Sequence, residues 1–76
     1  MNNQRRAALT KILGEIEEMK SKLETIRDEE QEAFDAMPES LQQSDRGQAS
    51  DNAISEMDSA ISALEDAIGS IENAKE

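Results

Sequence analysis

The stretch LTKILGEIEEMKSKLETIRDEEQEAFDAMP, running from Leu9 to Pro38, decides the fold. Leu9, Ile12, Ile16, Met19, Leu23, Ile26, Glu30, Ala33 and Met37 follow one another at alternating steps of 3 and 4. Such a heptad keeps one seam of a helix turned toward a partner helix. Leu13 and Phe34 widen the stripe. The spacing predicts one helix over about 3–37. Gly14 falls on its outer face and weakens it by only about 1 kcal/mol. Pro38 ends it, because the ring clashes with a continuing helix and biases the preceding residue toward extended geometry.

Working outward, the second half repeats the pattern. Ile54, Met57, Ile61, Leu64, Ile68 and Ile71 are spaced 3, 4, 3, 4, 3. A second helix is expected over about 48–74, with Ser44, Asp45 and Ser50 as alternative N-caps. Residues 38–47 between them are rich in turn formers, and Pro38 suits the start of a short helical turn. The expected fold is all-α, a single domain over 1–76 built as an antiparallel, coiled-coil-like two-helix hairpin. Pairing residues whose numbers sum to 87 matches the two stripes throughout. It also brings Arg27 near Asp58 and Lys20 near Glu65.

One two-helix seam offsets poorly the cost of ordering 76 residues, on the order of 1.5 kcal/mol each. The hairpin is therefore expected to complete its core by homo-oligomerisation. Ala53, Ala60, Ala67 and Ala74 recur every seven residues beside the seam and would let another helix approach closely. Leu9, Leu13 and Phe34 complete the expected oligomer interface. In the sum-87 register Glu76 lies opposite Lys11. Residues 1–10 then overhang without a partner, and Arg5, Arg6 and Lys11 form the one basic patch.

Charge divides the chain further. Eighteen acidic against eight basic residues give a net charge of −10. Residues 1–27 carry +2, residues 28–45 carry −7 and residues 46–76 carry −5. That balance disfavours a phosphate-tracking nucleic-acid binder, so no direct DNA binding is expected. The chain has no His, Cys, Trp or Tyr and one Phe. A zinc finger, a disulfide framework and His- or Cys-based nucleophilic catalysis are excluded. Glu17–Glu18, Glu29–Glu30 and Glu65–Asp66 read as solvated helix faces. A di-metal bundle would need Glu-x-x-His motifs. No catalytic residue, metal site or cofactor is expected. Glu30, at a seam position, either specifies register or oligomeric state, as a polar core residue can, or sits where the seam frays near the loop, and the second reading is preferred. No apolar run approaches a membrane span or a signal-peptide core, so a soluble, intracellular protein is expected.

The segment DEEQEAFDAMPESLQQSDRG, residues 28–47, resembles a run found in small phage-encoded helical-hairpin proteins. There a glutamate-rich helix ends in an aromatic-Asp-x-x-Pro-Glu-x-Leu-Gln-x-Ser-x-Arg run before a second helix. Asn commonly fills the position of Ala36 in that pattern, so this element is absent here. The likeness covers about a quarter of the chain. It implies a phage origin, hence the host bacterial cytoplasm, and, for a protein of this size, the binding and neutralisation of a host component.

Within that segment Glu39, Ser40, Gln42, Ser44 and Arg46 offer donors and acceptors for a ligand or partner at the hairpin tip. The simpler reading is that they cap and turn the chain, with Leu41 plugging the end and Arg46 paired to Asp35 or Glu39. Three functions follow. The first is a non-enzymatic inhibitor of a host defence factor, working through an acidic oligomeric surface whose charge speeds encounter with a basic site. The second is a sponge for a small nucleotide immune signal, held at basic pockets between subunits. The third is a purely structural oligomer or adaptor.

Overall fold

A computed structural model describes residues 1–76. Two long helices, α1 (Asn3–Asp35) and α3 (Asp45–Ala74), lie antiparallel, with a single helical turn, α2 (Glu39–Gln42), between them. The hairpin is a rod of 58 × 15 × 12 Å. Its radius of gyration of 17.2 Å exceeds the roughly 11 Å of a compact chain this long.

Local chemistry sets the ends of each element. The Asn2 side chain accepts the Arg5 N–H at 2.8 Å and caps α1. Helix α1 stops at Asp35, with Ala36 as its C-cap and Pro38 two residues on. Pro38 takes the N-cap of α2, and its carbonyl accepts the Leu41 and Gln42 N–H groups at 2.9 and 3.0 Å. Of the three candidate caps, Ser44 is used: its hydroxyl accepts the Gly47 N–H at 3.4 Å and donates to the Leu41 carbonyl. Helix α3 thus begins at Asp45, three residues before the expected start. Gln42 ties the turn back to α1 by donating to the Phe34 carbonyl at 3.0 Å.

The seam on α3 lies where the periodicity put it, and the seam on α1 does not. The less exposed residues of α1 are Arg6, Leu9, Leu13, Ile16, Lys20, Leu23, Arg27, Glu30, Gln31 and Phe34, with Met37 just beyond its end. Leu9, Ile16, Leu23, Glu30 and Met37 belong to the expected stripe. The alternate positions are Leu13, Lys20, Arg27 and Phe34 in place of Ile12, Met19, Ile26 and Ala33. Leu13 is 6% exposed and Ile54 is 4% exposed, whereas Ile12, Met19 and Ile26 are 42%, 53% and 55% exposed. The cause is ionic. Arg27 Nε donates to Asp58 at 2.8 Å, and Lys20 Nζ lies 3.3 Å from Glu65, the two flank pairs expected from sequence. Holding those heads draws the long aliphatic stems of Lys20 and Arg27 over the seam. The helix is rotated by one heptad position, about 50°, so that Ile12, Met19 and Ile26 face outward.

Leu13 is therefore core of the hairpin itself, not a residue left over for an oligomer. Glu30 is half-buried and accepts a hydrogen bond from the buried Ser50 hydroxyl, so the seam is closed there and does not fray. The register is also tighter than the sum-87 pairing. Thr10–Lys75, Lys20–Glu65 and Arg27–Asp58 all sum to 85. Layers summing to 84 alternate the observed seam residues of the two helices without a gap, from Leu9–Lys75 to Met37–Gly47.

The accessible surface is 5427 Å². A compact monomer of 8.4 kDa exposes about 4,600 Å², so this chain leaves roughly 800 Å² more in water than its mass warrants.

Candidate functional site

The register divides the flanks of the hairpin into two unlike faces. Residues following the seam on one side are Glu17, Glu24 and Gln31 of α1 with Asp51, Asp58, Glu65 and Glu72 of α3. Both ion pairs between the helices lie on this face. Its carboxylates recur every seven residues, about 10 Å apart along each helix. All six are exposed. In an antiparallel pair the opposite flanks of the two helices also share a face. That second face carries Ile12, Met19, Ile26 and Ala33 beside Ala53, Ala60, Ala67 and Ala74. Ala67 is half-buried and the other seven are exposed. The alanine stripe expected at an oligomer interface thus lies next to the hydrophobes displaced from the seam. Leu9 and Phe34, two further interface candidates, are half-buried in the seam.

The tip holds a shallow hollow of about 340 Å³ lined by Ala33, Ala36, Met37, Pro38, Leu41 and Arg46. Leu41 is exposed on its rim and does not plug the hairpin end. Of the polar tip candidates, Gln42 and Ser44 are engaged in reversing the chain, as described above. Glu39 and Ser40 are exposed, and their side chains make no hydrogen bond. Arg46 forms no ion pair with Asp35 or Glu39. The ion pairs of the molecule are Lys20–Glu65, Lys22–Glu18, Arg27–Asp28 and Arg27–Asp58.

At the open end the expected ten-residue overhang is shorter. Arg6 Nε donates to the Lys75 carbonyl at 3.0 Å, and Lys75 Nζ donates to the Thr10 hydroxyl at 3.2 Å. The C-terminal turn of α3 therefore reaches Arg6. Arg5 and Lys11 are exposed and meet no carboxylate.

The electrostatics are those of a solvated surface. Arg27 is held above its ordinary value, first by the hydrogen bond from its guanidinium to Asp58 and against a lowering by desolvation. No group of three or more His, Cys, Asp or Glu residues is placed to hold a metal ion. No helix is long and apolar enough to cross a membrane. No family model, curated protein or solved structure matches the chain.

Periodicity alone did not reveal the apolar face, because Ile12, Met19 and Ile26 were assigned to the seam. The signal was nevertheless present. Lys20 and Arg27 stand one residue after Met19 and Ile26, and each has a carboxylate across the hairpin to reach.

Proposed function

We propose that this chain is a non-enzymatic, phage-type binding protein. It self-associates through the apolar face, presents the acidic face to a basic site on a host defence factor and neutralises that factor by occupation. The observation that carries this reading is the segregation of the hairpin into one apolar and one acidic face. An apolar face with three large hydrophobes exposed at heptad spacing suits burial, while ordered carboxylates suit long-range attraction of a cationic partner. The resemblance of residues 28–47 to small phage proteins supports the choice of a host component as the target.

The test is purification of the protein from host cells at low salt, followed by salt elution and native mass spectrometry. A basic host protein bound in a fixed ratio, released as ionic strength rises, is the expected result. Charge reversal of Asp51 and Glu72 should weaken that retention, and retention unaffected by salt or by this change would count against the acidic face. The hollow beside Arg46, a guanidinium with no carboxylate partner, favours a second reading as a sponge for a small nucleotide signal. Retained nucleotide, read as absorbance at 260 nm in a chain without Trp or Tyr, would favour it instead.

A further inference from the structure

We infer that the apolar face is covered by a second copy of the chain, related by a two-fold axis through Met19, with the two hairpin tips at opposite ends. This inference rests on the self-association in the reading above and specifies its geometry.

Three observations carry it. The first is area. The roughly 800 Å² by which the surface exceeds that of a compact chain equals the share each partner contributes to a standard interface. The second is spacing. Helix α1 runs from Asn3 to Asp35 and so has its midpoint at Met19. An antiparallel copy of α1 centred there sets Ile12 against the partner's Ile26 on both sides of Met19, with no overhang. The alanine stripe has its own centre between Ala60 and Ala67, which the Lys20–Glu65 pair sets about 4 Å from the height of Met19. An axis through Met19 therefore crosses the alanine stripe near its middle, with the alanines of the two copies staggered rather than level.

The third is charge, which separates this arrangement from the alternative with both tips at one end. Beside the apolar stripe α1 carries Glu15, Lys22 and Glu29, all exposed. With the axis through Met19, Glu15 faces the partner's Lys22, and the reverse contact follows by symmetry. Arg5, which meets no carboxylate in its own chain, comes level with the partner's Ala33, about 6 Å along the helix from the partner's Glu29. With both tips at one end, α1 would instead lie over α3 of the partner. Glu29 would then face the partner's Glu56, and two segments of net charge −7 would stand side by side. Like charges set opposite one another destabilise a pairing of helices.

The decisive experiment uses Met19→Cys. The chain has no other cysteine, and Met19 is exposed in the single hairpin, so the change leaves the fold intact. Sedimentation is expected to show a dimer, and mild oxidation to convert most of the Met19→Cys protein to a covalent dimer. Glu17→Cys, on the acidic face, serves as the control and should crosslink far less. Lys22→Glu should raise the dimer dissociation constant about tenfold at low salt, and Glu15→Lys combined with Lys22→Glu should restore it. A dimer in which Met19→Cys crosslinks no better than Glu17→Cys overturns the geometry and leaves the proposed self-association standing. A monomer at all accessible concentrations overturns both.

Discussion

A methyl group at Gly47 would meet the backbone carbonyls of Leu41 and Gln42 far inside 3.0 Å, where backbone cannot yield cheaply. At Gly14 the same methyl would meet open space. Gly47→Ala should therefore cost about 1–3 kcal/mol through overpacking. Gly14→Ala should stabilise by up to about 1 kcal/mol through helix propensity. Paired urea melts of the two variants check both signs. A second pair of residues separates satisfaction of a polar group from burial. The Ser50 hydroxyl donates to Glu30 within the seam. Ser50→Ala leaves that carboxylate short of a partner and should cost about 1–2 kcal/mol. Replacing both, as Glu30→Leu with Ser50→Ala, should recover most of that loss, since no polar group then remains to satisfy. A double variant as unstable as the single would mean that the contact does not govern this layer.

At the scale of the helices, the register is the quantity to measure. Cysteines at Leu23 and Ile61, which share a layer of the seam, should oxidise within one chain. Cysteines at Leu23 and Leu64, nearly a turn out of step, should do so more slowly. Equal rates would indicate a hairpin that slides. The helices, the reversal near Pro38 and the two flank ion pairs were all legible in the sequence, because heptad spacing and proline sterics are local properties. The choice of seam on α1 was not. Leu9, Ile16, Leu23, Glu30 and Met37 belong equally to a stripe completed by Ile12, Met19 and Ile26 and to one completed by Leu13, Lys20 and Arg27. Hydropathy ranks the first stripe higher. The second is the one in the structure, with the Lys20 and Arg27 stems packed along the seam and their heads on Glu65 and Asp58. At the tip the cap on Ser44 was readable from residue type. The engagement of Gln42 with the Phe34 carbonyl was not, since it depends on how far α2 folds back.

At the scale of the whole molecule, the hairpin has little interior. Four residues, Leu13, Gly47, Ser50 and Ile54, are buried, and the rest of the seam is only half-covered. Assembly would supply the missing coverage, so the melting temperature should rise with protein concentration, as for any fold stabilised by binding a copy of itself. The Arg6–Lys75 contact has a further consequence, because it fixes both chain ends at the same end of a 58 Å rod. Two hairpins joined in one polypeptide by a linker of about five residues could meet side by side only with both tips together. To fold into the arrangement centred on Met19, the linker would have to run the length of the rod, at least about 17 residues. A tandem gene with a long linker should therefore yield a self-contained single chain. One with a short linker should instead join molecule to molecule into chains that lengthen with concentration.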